Sequence, residues 1–404
     1  MKNDVELLVV DSVSNRRLIT SNGENPSVSV PGGAAIDPPS GLVEAVRSRW
    51  GFDAALIRVK SPNIAEVEYI RGTHEGLSET LCWTPAWEET TDTTRPRWQR
   101  PGWFRSIVPS LDEELSTIGS DRTGPPIQVR HTSVTGLLRI PTKTGYVWLK
   151  EGLPIFAHEA DVLRLLRRIG IRDVPEVLGT GDAWWIGAAF PTAGNPETGH
   201  FLPSMGRIQI ASIPYTEDLG NLGCPRRPLS GLSKSLKDIS EREDLLSNRE
   251  RRELNSVLFD LDRVCSIVDA QGIPSTIVHG DLNRENVLFT GSEWFVYDWT
   301  DTCISHPFVD VALAVQGEEI DIRTRALTDY ATTWAAVVPS ERIVTALEYA
   351  DVIGAAHQIV TYQWILDSVD RSAADVSGAD QLLGLLRKWV ARLVNSDRIS
   401  LKPS

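Results

Sequence analysis

The chain has 404 residues, of which 41% are hydrophobic and 24% charged, and a formal net charge of −13. That length suits two or three domains with buried cores, and the acidity argues against a general binder of nucleic acid or anionic membrane, since both need concentrated Lys and Arg. The four cysteines, Cys82, Cys224, Cys265 and Cys303, are scattered without a C-x-x-C pair, which points away from a disulfide framework or a zinc site.

The N-terminus carries neither a long apolar core nor a cleavage signal, and no stretch of about eighteen apolar residues occurs anywhere, so the cytoplasm is the expected compartment. Residues 6–10 read as a strand, 11–16 as a turn and 17–20 as the returning strand of a hairpin. Residues 28–35 lead through a Gly-Gly turn into a helix over 41–52, with Leu42 and Val46 on one face and Gly51 as its stop. Further strands are predicted near 56–59, 67–70 and 81–84. Residues 90–97 read as a polar loop. Just beyond it, Trp98, Trp103 and Phe104 are expected to be buried between domains. A short helix is predicted to start at Asp112, and 119–126 has the turn-forming composition of a linker.

A hairpin, a Gly-Gly turn and a short helix closing on Gly51 resemble the Nudix fold. The resemblance implies an α/β domain over residues 1–120. It stops short of the chemistry, because the two metal-binding glutamate positions fall on Ser48 and Arg49, and the Arg-Glu position falls on Glu44-Ala45. Without those carboxylates little neutralises a cation. The expectation is a catalytically silent accessory domain that binds a small molecule or packs on the rest of the chain; an unrelated α/β domain is the alternative.

From Ile127 the pattern is a strand over 127–130, a turn over 131–136, a returning strand over 137–140 and a third strand over 146–150 that ends on Lys150. An amphipathic helix is predicted over 156–166, with Glu159 in its first turn. Strands are predicted over 174–179 and 184–190, followed by a Pro-Thr-Ala-Gly connection. Residues 195–235 are rich in Gly, Pro, Asn and Ser and read as loop or insertion. Helices are predicted over 240–247 and 249–270, the latter with an apolar stripe of Leu254, Val257, Leu258, Leu261, Val264 and Val268 that is core. Three long helical stretches, 322–337, 340–366 and 379–394, complete the chain.

Residues 277–289, Ile-Val-His-Gly-Asp-Leu-Asn-Arg-Glu-Asn-Val-Leu-Phe, read as strand, polar turn and strand; 294–299 reads as a third strand ending on an acid. Asp281 and Asn286 stand five residues apart, and Asp298 follows twelve residues later. One acid can accept the proton of an attacking hydroxyl, while the amide and the other acid hold Mg2+ on a nucleoside triphosphate.

These residues resemble the aminoglycoside phosphotransferase and choline kinase-like family, whose signature is His-Gly-Asp-x-x-x-x-Asn followed by a strand ending in Asp. The stretch from Ser305 to Ala312 is similar to the Gly-x-Pro-x-x-Asp-Leu-Ala segment that follows in that family. The resemblance implies an α+β, bilobal protein kinase-like fold with a small β-rich lobe over 121–194 and a large, mainly helical lobe over 195–404. It implies a kinase that moves a phosphoryl group from ATP or GTP to a hydroxyl of a small molecule, an aminoglycoside-like sugar, antibiotic or metabolite. In that reading Asp281 is the catalytic base and Asn286 and Asp298 bind Mg2+. Lys150, paired with Glu159, neutralises the non-transferred phosphates. The 131–136 turn covers phosphate through its backbone N–H groups with Ser133 or Thr135, and Ala189 and Phe190 border the base. Asp310 supports the catalytic loop, His279 is scaffold, and Arg284 is either a phosphoryl contact or an exposed turn residue. On the C-terminal helices, Glu348, Asp351, His357, Gln358, Gln363 and Asp367 are candidate acceptor contacts. A nucleotide-binding pseudokinase and a Nudix-type hydrolase are the competing readings.

Overall fold

The computed structural model describes residues 2–12, 16–20, 24–31, 39–61, 64–72, 81–85, 95–194, 200–369 and 376–399. It is mixed α+β and divides into two compact units, the first comprising Met1–Ile155, Val177–Ala189 and Leu366–Gln381, the second Phe156–Glu176, Phe190–Ile365 and Leu382–Ser404.

In the first unit, β1 (Lys2–Asp11), β2 (Arg16–Thr20), β3 (Ser27–Pro31), β4 (Phe52–Ser61), β5 (Ile64–Gly72) and β6 (Leu81–Pro85) form one sheet in the order β4-β5-β1-β2-β6, with β3 also paired to β1. The predicted hairpin is present, with Val9 opposite Leu18. The period-2 pattern of β1 buries Val5, Leu7 and Val9 on one face. The helix α1 (Pro39–Trp50) lays Leu42, Val46 and Trp50 into the same cluster, and Gly51 ends it with φ +74°, a conformation that a Cβ disfavours. Each such side chain buried stabilises by about 1.5–3 kcal/mol, so this core is one of its own.

The helix α2 (Trp103–Thr117) starts far earlier than the predicted Asp112. Trp103, Ile107, Leu111 and Leu115 recur every four residues and are all buried. Pro109 lies inside the helix and obscures that stripe in the sequence. Trp98 and Trp103 are buried as expected, while Phe104 is only partly covered.

The second sheet of this unit is antiparallel, with the order β10-β11-β9-β8-β7, from β7 (Ile127–His131), β8 (Thr135–Thr142), β9 (Gly145–Gly152), β10 (Val177–Thr180) and β11 (Trp184–Gly187). The two sheets meet at their edges. The Gln128 amide accepts from the Leu56 N–H (2.7 Å) and donates to the Leu56 carbonyl (2.9 Å), replacing the neighbour strand that edge strand β4 lacks.

In the second unit, α3 (Glu159–Arg168) begins three residues after the predicted Phe156, which sits instead in a 3-10 turn. The segment expected to be loop after residue 200 is helical: α4 (Leu202–Ser212) and α5 (Thr216–Asn221) precede α6 (Leu232–Ser240). Residues 195–199 lie outside the described residues. The predicted helix over 240–247 is absent. Instead Ser247 caps α7 (Asn248–Asp269) in a capping box, its hydroxyl accepting from the Glu250 N–H while the Glu250 carboxylate accepts from the Ser247 N–H. The expected stripe of α7 is buried except at Leu258, which is only partly covered.

The strand β12 (Thr276–Val278) pairs with β15 (Cys303–Ser305), and β13 (Val287–Phe289) forms a hairpin with β14 (Trp294–Val296). After α8 (Val311–Ala314) and α9 (Ile320–Trp334), the stretch read as one helix breaks at Glu348-Tyr349 into α10 (Ser340–Leu347) and α11 (Ala350–Leu366). The last helix is α12 (Val376–Val394). Among the described residues no helix is long and apolar enough to cross a membrane.

Candidate active site

The loop between β12 and β13 carries the His-Gly-Asp and Asn residues, and Asp310 fixes its first turn. One Asp310 oxygen accepts from the His279 N–H and the other from the Gly280 N–H, both at 3.0 Å, and Gln209 donates to the first at 3.1 Å. Full burial raises the Asp310 carboxyl to about 6, against the pull of those donors. His279 is buried scaffold. Its Nε2 donates to the Tyr297 carbonyl at 3.0 Å, and its Nδ1 accepts from the Asp281 N–H at 3.3 Å. Gly280 has φ +83°, and a Cβ there would lie 2.3 Å from the Asp301 carbonyl oxygen. Its own carbonyl accepts from Gln358 of α11, which makes Gln358 a support of the loop.

The loop presents Asp281 half-buried. Asn286 donates to the Asp281 carboxylate and to its backbone carbonyl, both at 2.8 Å, and Asn283 donates to the other carboxylate oxygen at 3.1 Å. Burial raises the Asp281 carboxyl to about 8, helped by the charges of Asp301 and then Asp298, while the two amides oppose the rise. Asp298 follows β14 in the left-handed region, φ 64° and ψ 61°, where a non-glycine residue is strained. Its Oδ1 accepts from the Thr300 hydroxyl at 2.6 Å. Asp281, Asn286 and Asp298 are thus brought together within one unit.

Asp301 is a residue that the sequence reading does not single out. It lies beside Gly280 and Asp281, and no motif spacing marks it. Tyr362 of α11 feels the charges of both Asp281 and Asp301, which with its burial push its hydroxyl well up. Arg284 forms a two-point ion pair with Glu318, at 2.5 and 3.0 Å. Of the helical acceptor candidates, Asp351 pairs with Arg392, Glu348 with Arg398, and His357 is buried against Cys303.

The donor set of Asn286 and Asp298 fits a magnesium ion. Both offer hard oxygens, and the Asn286 bonds to Asp281 use its nitrogen, not its amide oxygen. A cation that arrives with phosphates and keeps several waters needs only such a partial set.

The sequence profile of the phosphotransferase enzyme family, APH, matches residues 118–342. The chain belongs to this family. It is a phosphotransferase. Comparison with curated protein sequences finds no match. Among solved structures, a macrolide 2'-phosphotransferase from Brachybacterium faecium shares 16% identity over 68% of this chain and 97% of that one, with a TM-score of 0.46. A spectinomycin phosphotransferase in complex with ADP and spectinomycin shares 11% over 72% and 98%, with a TM-score of 0.45. A GDP complex of an aminoglycoside 2'-phosphotransferase shares 11% over 70% and 98%, with a TM-score of 0.49.

In the phosphotransferase, Lys150 is a buried residue of β9, opposite Leu137 of β8 and Trp185 of β11 in the first unit. Glu159 is a buried residue that opens α3 in the second unit. The chain passes from one unit to the other between Ala189, which is exposed, and Phe190, whose ring meets Tyr297 at 4.9 Å. In the 131–136 turn, expected to cover phosphate through its backbone N–H groups with Ser133 or Thr135, two of those N–H groups bond within the turn itself. The Val134 and Thr135 N–H groups donate to the Thr132 hydroxyl, at 3.2 and 3.1 Å. The Thr135 hydroxyl is buried and donates to the Glu151 carbonyl at 3.0 Å. Ser133 puts neither its N–H nor its hydroxyl into the turn's own bonds.

Proposed function

We propose that this phosphotransferase moves the terminal phosphoryl group of ATP or GTP, as its Mg2+ complex, to a hydroxyl of a small molecule of the aminoglycoside-like sugar, antibiotic or metabolite type. Asp281 accepts the hydroxyl proton and holds the acceptor oxygen in line. Asn286 and Asp298 would hold Mg2+, which when bound supplies charge neutralisation of the phosphates. Lys150, supported by Glu159, takes the non-transferred phosphates. Ser133, with the 131–136 turn, covers them, and Ala189 and Phe190 border the base. Residues 1–120 are a Nudix-like accessory domain without hydrolase activity.

The single observation that carries this reading is the Asp281–Asn286 contact on a loop whose backbone is anchored by Asp310. Phosphoryl transfer depends on positioning and charge compensation, and a rigid base beside oxygen donors supplies both. The crowding of Asp281, Asp298 and Asp301 beside Tyr362 favours an acceptor that carries a positive charge, such as an amine-bearing sugar.

Calorimetric titration of the folded protein with ATP and GTP in saturating magnesium tests the nucleotide. A phosphorus NMR screen of amine-bearing and neutral alcohols tests the acceptor. Uptake of neither nucleotide sinks the proposal, and turnover of neutral alcohols alone sinks the preference for cationic acceptors.

A further inference from the structure

We propose that Trp98, which lies outside the matched family segment, is a positioning residue for the nucleotide, holding the 131–136 turn from behind so that the N-terminal sheet region sets the turn's conformation. The inference rests on the proposed phosphate-covering role of that turn. Trp98 is 3% exposed, and its indole Nε1 donates to the Thr132 carbonyl at 2.7 Å. Its ring occupies the space beside Gly136, where an added Cβ would come within 2.9 Å of the indole Cγ and 3.0 Å of the Trp98 Cβ. Gly136 is not in the left-handed region, so the turn's one glycine is there for the tryptophan ring and not for the turn's own dihedrals.

A second tie runs from the same turn to the N-terminal sheet. His131 Nε2 lies 2.7 Å from the Ile57 carbonyl, and because a carbonyl only accepts, the proton is on Nε2. Ile57 sits at the irregularity of β4 between Leu56 and Arg58, on the edge that Gln128 also caps. The turn is therefore pinned at Thr132 by Trp98 and at His131 by Ile57. With its carbonyl held, Thr132 turns its hydroxyl onto the next N–H groups, and the Ser133 side chain lies against Gly378 of α12. A donor that meets an anion in a fixed position binds it better than one that must first be ordered.

Trp98→Phe keeps an aromatic ring against Gly136 but removes the indole N–H together with part of the buried ring. In the full-length chain, titrated with Mg·ATP and with Mg·GTP, the variant is expected to bind nucleotide about three- to tenfold more weakly, in addition to the lower melting temperature that the lost buried ring atoms bring. A residue that only packs would lower the melting temperature and leave the nucleotide Kd where it was. Coupling is reciprocal, so nucleotide added to the wild-type protein should also slow hydrogen exchange at the amides of residues 54–59 and 97–100; this arm decides the matter if Trp98→Phe does not fold. A wild type that binds neither nucleotide overturns the nucleotide reading and this inference with it. A wild type that binds, together with an unchanged Kd in a folded Trp98→Phe and unchanged exchange at both segments, overturns this inference alone.

Discussion

The side-chain amide of Asn286 donates to both the carboxylate and the backbone carbonyl of Asp281, each at 2.8 Å. One amide thus fixes the orientation of the acid and the start of the turn that carries it. That double contact links the residue proposed to take a proton with a residue proposed to hold the metal, so a change at either is felt at both.

Asp281→Asn should reduce phosphoryl transfer by about 10²–10⁴-fold or more without unfolding the protein. It should also change stability in a pH-dependent way. The folded carboxyl titrates at about 8, above its ordinary 3.8, so the folded state binds that proton more tightly than the unfolded chain. The contribution is fully present below pH 3.8 and is lost as pH rises through about 8. Thermal melts of the metal-free proteins should therefore show the variant gaining on the wild type from pH 4 to pH 8, roughly the window between those two values, and levelling above it. A difference that is flat across that range contradicts the raised Asp281.

Asp301→Asn removes the largest neighbouring charge acting on Asp281. The acid then ionises more easily, and the acidic limb of the kcat/KM profile should move to lower pH by about half a pH unit or more. A limb that stays in place means that Asp301 does not act on the base.

Arg284→Ala separates the two readings of that residue. Its partner Glu318 is 6% exposed while Arg284 is 56% exposed, so the pair is half-screened, and its loss should lower stability by about 1–2 kcal/mol in denaturant titrations. Turnover should fall only modestly. A fall of several orders of magnitude with unchanged stability would mean that the arginine leaves Glu318 to meet the transferred phosphoryl group.

Gly280→Ala places a methyl against the Asp301 carbonyl at 2.3 Å in a backbone with φ +83°. The Gly280 segment cannot yield easily, because Asp310 and Gln358 hold it. Loss of more than about 3 kcal/mol, or failure to fold, is expected; near-normal stability by urea titration would show that the loop is looser than the hydrogen bonds imply.

The proposed catalytic stretch is legible in the amino-acid sequence because its residues are local. His279, Gly280, Asp281 and Asn286 occupy one turn, and the hairpin β13–β14 brings Asp298 back beside them. The N-terminal hairpin, α1 with its Gly51 stop and the stripe of α7 follow from periodicity and turn residues in the same way. The start of the helix at Trp103 is hidden because Pro109 interrupts its pattern, and α4 and α5 are hidden because Gly, Pro and Ser mask short apolar faces. Their burial comes from partners far along the chain.

Sequence alone determined which groups are proposed for phosphoryl transfer and the short-range spacing between them, since strand and helix geometry converts spacing into direction. Only the tertiary structure decided that β12 pairs with β15, that Gln358 and Asp310 hold the Gly280 backbone, that Asp301 stands beside the base, and that Trp98 sits behind the 131–136 turn. The hydrogen bonds among these contacts join residues 30 positions apart for Gly280 with Asp310, 34 for Trp98 with Thr132 and 78 for Gly280 with Gln358. Nothing periodic in a chain specifies such contacts, because they form only when the intervening loops have closed and the cores on either side have packed.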